Sequence, residues 1–358
     1  ERARRAGVPC ILTSPCPTLE ALGWGELVVR GRAAERAGWP AVDVVDMRAE
    51  DPRTGLLPPA LVAALRSDKR VVCVLNRTGR ARLLACAGCG ELARCERCDA
   101  AVTLPANGDT LACGLCGEER PVVCLHCGKT RLKALRQGVT RVRDEIEALV
   151  GEPVAEVTGA RPRAPEADGA EPARARVVVG TEASLHQVAR ADVVAFLDLD
   201  QELLAPRYRA AEQALGLVAR AARLVGGRER GGRLLLQTHV PGHEVVQAAV
   251  LGDPTRVAEA EAERRELLRF PPVTALAEVS GPAAAEFVAA LTSSPTPSPT
   301  DTAALWGTKA PRAAVEVLGP ADGKWLVRAP DHQGLCDALA ATPRPSGRLR
   351  VAVDPARI

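Results

Sequence analysis

Four Cys-x-x-Cys pairs fall between residues 86 and 127: Cys86/Cys89, Cys95/Cys98, Cys113/Cys116 and Cys124/Cys127. A pair at this spacing closes a tight loop and aims two sulfurs at one point. Two such pairs make the tetrahedral thiolate cage that Zn²⁺ accepts, with Zn–S near ~2.3 Å. Four pairs therefore imply two zinc ions per chain. The competing reading is a disulfide framework, which needs an oxidising compartment. No signal peptide and no apolar run long enough for a membrane helix is visible, so the repeats read as metal sites in a cytoplasmic chain. The other cysteines, Cys10, Cys16, Cys73 and Cys336, stand alone on apolar stretches and read as small buried hydrophobes. His126 lies between two ligands of a cage already filled by sulfur and reads as a surface residue.

Phosphate chemistry is the second possibility. Gly128-Lys129-Thr130 has the ending of a P-loop, whose backbone amides and lysine hold phosphates. A P-loop needs a further glycine five residues before its Gly-Lys, and Val123 stands there, so the tripeptide reads as the tail of a knuckle. Contacts to a nucleic-acid backbone need arginine and lysine. Candidates are Arg77, Arg80 and Arg82 before the knuckles and Lys129, Arg131, Lys133 and Arg136 after them. Arg228, Arg230 and Arg233 form a third group, and each group reads equally well as a solvated face.

Composition limits the partner. The 358 residues are 47% hydrophobic and 25% charged, ordinary for a globular protein with a full core. A net charge of +3 is too small to establish a nucleic-acid partner, so only local clustering argues for one. Aromatics make up 2%, and Trp24, Trp39, Trp306 and Trp325 are scattered, which leaves no platform for base stacking. Any DNA recognition should therefore follow structure rather than sequence.

The elements that must position these residues alternate. Strands are expected at Cys10–Leu12, Leu27–Arg30, Ala41–Val45 and Val71–Leu75, with a helix over Pro58–Arg66 that Pro59 opens. After the knuckles come a helix over Thr140–Val150, strands at Val154–Val157, Arg176–Val179 and Asp192–Leu199, a helix over Glu212–Val225 and a strand at Arg233–Thr238. Short Val/Leu runs between helices predict a parallel sheet covered on both faces, interrupted by the zinc module. A charged helix over Arg256–Arg269 ends at Phe270-Pro271-Pro272. A small α+β unit follows, with strands near Thr274–Val279, Val315–Leu318, Trp325–Arg328 and Arg348–Val353 around the low-complexity stretch Thr292–Thr302.

These residues resemble the family of the bacterial primosomal protein N′, PriA, over nearly the whole chain. Asn76-Arg77-Thr78-Gly79 is similar to that family's N-R-R-G-Y, and the knuckles follow its order with much of the intervening text. Leu197-Asp198-Leu199-Asp200, Leu236-Gln237-Thr238-His239 and Glu263-Arg264-Arg265 with Phe270-Pro271-Pro272 resemble its L-D-A-D, L-Q-T-H and E-R-R…P-P. The resemblance implies a RecA-like second helicase lobe split over 1–82 and 129–252, a two-zinc insert over 83–128 and a C-terminal α+β domain over 253–358. Residues 12–20 resemble the segment joining two helicase lobes. With Glu1 in place of an initiator Met, the numbering is expected to start inside a longer protein. The resemblance also implies nested pairing: Cys86, Cys89, Cys124 and Cys127 at one ion, and Cys95, Cys98, Cys113 and Cys116 at the other. Fourteen residues separate Cys98 from Cys113, near the usual zinc spacing, although spacing alone leaves a cross-braced pairing open.

Against that family the nucleotide motifs are eroded. G-T-Q-M-x-A-K-G stands as Gly180-Thr181-Glu182-Ala183-Ser184-Leu185-His186-Gln187, with His186 in place of lysine and Gln187 in place of glycine. The arginine-finger motif survives as Leu217-Val218-Ala219-Arg220-Ala221-Ala222-Arg223, one glycine shorter. Gly180, Thr181, Arg220 and Arg223 are thus a degenerate nucleotide site at which ATP turnover is not expected. The pattern is similar to the helicase-deficient branch of high-GC bacteria. It implies a DNA-binding component of the replication-restart primosome, associated with the nucleoid, that recognises forked DNA and works with other primosome proteins and the helicase-loading machinery, without a membrane. An active 3′–5′ helicase whose first lobe lies outside this numbering and a zinc-dependent protein-interaction module are the other two readings.

Overall fold

The computed structural model describes residues 6–51, 54–76, 84–104, 110–113, 116–134, 139–158, 174–293 and 315–355. Strands β1 (Ala41–Asp46) and β2 (Val71–Val74) precede the cysteine-rich segment. Within and beside it lie the short strands β3 (Leu84–Cys86), β4 (Val102–Thr103), β5 (Thr110–Cys113), β6 (Glu119–Pro121) and β7 (Leu132–Ala134). Then come β8 (Ala155–Val157), β9 (Val177–Gly180), β10 (Val193–Phe196) and β11 (Arg233–Thr238). The last four are β12 (Ala275–Ser280), β13 (Glu316–Ala321), β14 (Lys324–Ala329) and β15 (Arg350–Val353). The chain divides into two compact units, one of Glu1–Cys16 with Leu27–Ala258 and one of Pro17–Glu26 with Glu259–Ile358.

Six strands of the first unit form one parallel sheet in the order β1-β11-β10-β2-β9-β8. The central strands β2, β9 and β10 are buried along their whole length, which is why they read as unbroken Val runs instead of alternating. Two cores cover the two faces. On one, Val139, Val142 and Ile146 of the helix Val139–Val150 and Leu61 and Leu65 of the helix Pro59–Leu65 meet Val71, Cys73, Val177 and Val179. On the other, Ala214, Leu215, Val218 and Ala222 of the helix Ala210–Val225 join Val245 and Val246 against Val72, Val178, Val194 and Leu236. Each fully buried Val, Leu or Ile contributes roughly 1.5–3 kcal/mol. The scarcity of aromatics is met by alanines, with Ala211, Ala214, Ala221 and Ala222 of the helix Ala210–Val225 all buried.

Two expected strands are absent. Cys10–Leu12 and Leu27–Arg30 are irregular and exposed, with Ile11 at 88% and Val28 at 86%. A strand persists only where a neighbour takes its backbone groups, and neither run has a ladder partner among the described residues. The isolated cysteines also divide. Cys73 is buried and its thiol is pushed up to about 12 by desolvation, whereas Cys10 and Cys336 are exposed, so apolar neighbours in sequence did not bury them. Of Thr292–Thr302, all but the first two residues lie outside the described residues, as does most of 160–175.

In the second unit, β12, the helix Ala284–Ser293, β13, β14, the helix His332–Ala341 and β15 follow one another as a βαββαβ unit. The strands are antiparallel in the order β13-β14-β12-β15. Ala275, Ala277 and Val279 point to one face and pack with Phe287, Val288, Leu291, Val327 and Leu335. Arg265, 1% exposed, is held by Glu261 at 3.1 Å and Glu20 at 3.3 Å. Glu20 belongs to the helix Leu19–Trp24, capped by the Thr18 hydroxyl, so this short early segment is part of the second unit.

Candidate metal centres and the sheet edge beneath them

The eight cysteine sulfurs gather in two groups, Cys86/Cys89/Cys124/Cys127 and Cys95/Cys98/Cys113/Cys116, with all four sulfurs of each group within 4.8 Å of one another. In the outer group Cys86 and Cys127 are 3.5 Å apart and Cys89 and Cys124 3.6 Å. In the inner group Cys95–Cys116 is 3.5 Å, Cys98–Cys113 3.4 Å and Cys98–Cys116 3.5 Å. A disulfide needs ~2.05 Å. A tetrahedron of ~2.3 Å metal–sulfur bonds has edges of about 3.8 Å. The separations match the second geometry, and each group could hold one metal ion.

One repeated local structure builds both groups. In every knuckle the first cysteine's N–H donates to the carbonyl five residues on, Glu91, Ala100, Glu118 or Lys129, at 2.8 Å. In every knuckle the fifth residue's N–H returns to the first cysteine's carbonyl, from Gly90, Asp99, Gly117 or Gly128. That fifth residue is left-handed each time, with φ of 78°, 60°, 74° and 72°. Glycine takes this conformation without a steric penalty, which explains Cys-x-x-Cys-Gly at three of the four knuckles. Amides also aim at sulfur: Gly88 N–H donates to Cys86 at 3.3 Å and Arg97 N–H to Cys95 at 3.4 Å. The Gly88 and Cys89 amides hold the Cys86 thiol down at about 6 and the Glu118 amide holds Cys116 at about 7, while, against the Glu91 amide, the neighbouring sulfurs push Cys89 up to about 12 and burial pushes Cys98 up.

The two groups differ in their surroundings. In the inner group Cys95 and Cys113 sit in a small core with Leu84, Ala93, Val102 and Leu111, and Cys98 and Cys116 pack half-buried against it. Cys89 and Cys127 of the outer group are exposed, as are His126 and Leu125 beside them. Arg120, which the sequence reading passed over, is buried and clamps the module. It donates to the Arg94 carbonyl at 3.1 Å and to the Val123 carbonyl at 2.7 Å, and so ties the approach of the second knuckle to that of the fourth.

The module enters and leaves through neighbouring strands, since β3 and β7 pair antiparallel, Cys86 opposite Leu132. It rests on the turn that follows β10: Ala101 N–H donates to the Leu204 carbonyl at 3.2 Å, and Leu92 and Ala101 share a core with Leu199, Leu203 and Leu204. This is the carboxyl edge of the parallel sheet, where α/β proteins bind ligands. A polar network crosses it. The buried Asp200 carboxylate accepts from the Thr238 hydroxyl, from the His239 N–H at 2.8 Å and from His239 Nδ1 at 2.9 Å. Asn76, at the end of β2, donates to Glu202 at 2.9 Å, and Glu202 accepts from Arg207 at 2.7 Å. Burial and then the Asp200 charge push the Asp198 carboxyl up to about 7. Burial pulls His239 down, but its hydrogen bond to Asp200 and the charges of Asp200, Asp198 and Glu91 outweigh that, and the net direction is up. The sequence marked Leu197–Asp200 and Leu236–His239 separately; only the adjacency of β10 and β11 brings them together.

The nucleotide candidates lie in two places. Gly180 ends β9, and a Cβ there would stand 2.1 Å from the Val157 carbonyl oxygen, so the strand pairing itself requires this glycine. Thr181 N–H donates to the same carbonyl at 3.0 Å. Arg220 and Arg223 are exposed on the helix Ala210–Val225, and Arg220 contacts the ring of His186. Of the basic groups, Arg77, Arg80, Arg82 and Arg136 lie outside the described residues, and Lys133 is in the β3–β7 ladder opposite Ala85. Lys129 and Arg131 are exposed beside the module's exit. Arg228 and Arg230 are exposed, and Arg233 pairs with Asp43 at 2.6 Å. Among the described residues no helix is long and apolar enough to cross a membrane.

Fold and site together define a mixed α/β protein whose parallel sheet carries an inserted module of two four-cysteine clusters suited to metal ions. No family model matches the chain. It is 32% identical over 354 residues to the probable replication restart protein PriA of Mycobacterium tuberculosis, an alignment covering 92% of this chain and 50% of the relative. It is 28% identical over 306 residues to replication restart protein PriA of Bacillus subtilis, covering 78% of this chain and 37% of the relative. The Haemophilus influenzae protein of the same name is 25% identical over 291 residues, covering 76% and 40%. The chain belongs to the PriA family, and it spans about half the length, or less, of the curated relatives it matches.

Proposed function

We propose that the protein is a DNA-binding component of the replication-restart machinery that recognises stalled or forked DNA and promotes reloading of the replicative helicase, without being a motor itself. The observation that carries the non-motor part is the state of the nucleotide positions. Gly180 and Thr181 are committed to the strand β8, and Arg220 is engaged with His186, which stands where the family's lysine would be. An arginine finger acts by stabilising charge on the transferring phosphoryl group, and small displacements there cost large factors in rate. The six-stranded parallel sheet supports reading the first unit as a RecA-like lobe, split by the cysteine module and followed by an α+β domain. We take the eight cysteines to bind two zinc ions, whose role is to fold the module; structural zinc contributes folding energy directly. The basic groups Arg77, Arg80 and Arg82 and Lys129, Arg131, Lys133 and Arg136 are the phosphate contacts of this proposal, and among the described residues the pairing of β3 with β7 sets Lys133 opposite Ala85 at the module's entry. Fork-DNA binding measured with and without a zinc chelator tests it: binding should need the metal and no nucleotide. Binding that requires ATP would restore the motor reading, and no fork binding at all would favour a protein-interaction module.

A further inference from the structure

The two cysteine groups share ligand chemistry and differ in access. In the inner group Cys95 and Cys113 are buried and Cys98 and Cys116 half-buried against Leu84, Ala93, Val102 and Leu111, while in the outer group Cys89 and Cys127 are exposed. Each exposed sulfur faces a buried one on the other knuckle: Cys127 lies 3.5 Å from Cys86, and Cys89 lies 3.6 Å from Cys124. An accessible thiolate with a second thiolate at that distance has the two parts of a redox-sensitive pair, an attacking sulfur and a resolving one. The Lys129 side chain lies over Gly88 of the first knuckle, where a Cβ on that glycine would meet its Nζ at 2.7 Å.

We propose that the outer cluster is an oxidation-sensitive metal site: a peroxide-class oxidant converts its cross-knuckle pairs to disulfides and releases its ion, while the inner cluster keeps its own. The inference rests on the zinc reading given above. In the first step the exposed thiolate of Cys127 or Cys89 attacks the O–O bond, forming a sulfenic acid and expelling hydroxide, which is protonated to water. The facing thiolate of Cys86 or Cys124 then attacks that sulfur, the S–S bond forms, and a second hydroxide leaves and is protonated. Two electrons pass from two thiolates to one peroxide, and Zn²⁺ departs with its charge unchanged. Closing both pairs consumes two peroxides. Because the bonds join the module's entry to its exit, they hold β3 near β7 after the ion has gone.

The experiment uses the whole protein with its zinc content measured first. Limited hydrogen peroxide is added, released zinc is followed with a chromophoric chelator, and disulfides are mapped by mass spectrometry. One zinc per chain should leave at least about tenfold faster than the other, because susceptibility follows exposure. Cys86–Cys127 or Cys89–Cys124 should be the first disulfides found, with Cys95, Cys98, Cys113 and Cys116 still reduced. Cys127→Ser should begin with one ion and show only the slow phase. Two ions leaving at one rate, or inner cysteines oxidised first, overturn the inference while the zinc reading stands. One ion or none in the starting protein overturns the zinc reading, and the inference falls with it.

Discussion

Arg220 of the shortened arginine-finger motif lies 2.7 Å from Nδ1 of His186, the residue that stands in place of the family's lysine. An arginine resting on the protein's own histidine is not poised for a phosphoryl group. We therefore expect no DNA-stimulated ATP hydrolysis in a steady-state assay with forked DNA. Arg220→Ala and Arg223→Ala should leave the background unchanged. Turnover that disappears in Arg223→Ala would establish a working finger and a motor.

The two candidate metal sites should be separable. Cys98→Ser removes one inner ligand and should lower the zinc content from two per chain to one. Hydrogen exchange should quicken across β4 to β6, while Val71–Val74 and Val193–Phe196 stay protected, since their core is built from the parallel sheet and its helices. Collapse of the whole first unit would mean that the module is not an independent insert.

The knuckle's fifth residue offers a sharper probe. Gly117 and Gly128 are left-handed and face open space, so a methyl group there meets no neighbour. Alanine then costs only the backbone term, about 1–2 kcal/mol. Gly128→Ala should weaken retention of the outer ion roughly fivefold to thirtyfold in a chelator competition, and Gly117→Ala should do the same to the inner one. Each should leave the other ion unaffected.

How much of this was legible beforehand follows from where the information lies. The Val runs of β2, β9 and β10 could be read because strands buried on both faces leave no polar alternation. Cys10–Leu12 and Leu27–Arg30 carry the same local signal and form no strand, because pairing depends on a partner that composition does not reveal. The cysteine spacing showed that cages exist, and the glycine after three of the four knuckles was visible yet unused. The grouping of sulfurs, the Arg120 clamp and the meeting of Asp200 with His239 depend on contacts between residues distant in sequence. No period or spacing encodes them.

The carboxyl edge should make stability pH-dependent. Asp198 ionises near 3.8 when unfolded and at about 7 when folded, so the folded state holds the proton more tightly. Between those values stability falls as pH rises. His239 acts in the same direction: its folded value is raised, so its contribution is present below the unfolded value and is lost as pH climbs through the folded one. Asp198→Asn keeps an acceptor for the Gln201 amide, now at 2.9 Å, and removes the charge beside Asp200. At pH 8 it should raise the urea midpoint of the first unit, by roughly 1–3 kcal/mol in free energy, and flatten the fall between pH 4 and 7. An unchanged slope would mean that Asp198 is solvated.

The DNA surface can be tested at its described part. Lys129 and Arg131 are exposed where the module's exit runs beside its entry, and Ala87 N–H donates to the Arg131 carbonyl at 2.9 Å, which fixes that proximity. Phosphate contacts release counterions, so each one lost should lower the slope of log K against log salt by about 0.9 on duplex DNA. Lys129→Gln with Arg131→Gln should therefore weaken fork binding about equally across sequences and reduce the slope by roughly 1.8. Because Lys129 overlies the first knuckle, zinc content must be measured in the same sample. A fall confined to one sequence would indicate base readout. Unchanged affinity and slope in protein that keeps two zinc ions would make this face a solvated one and move the phosphate contacts elsewhere, with the exposed Arg228 and Arg230 the next to neutralise.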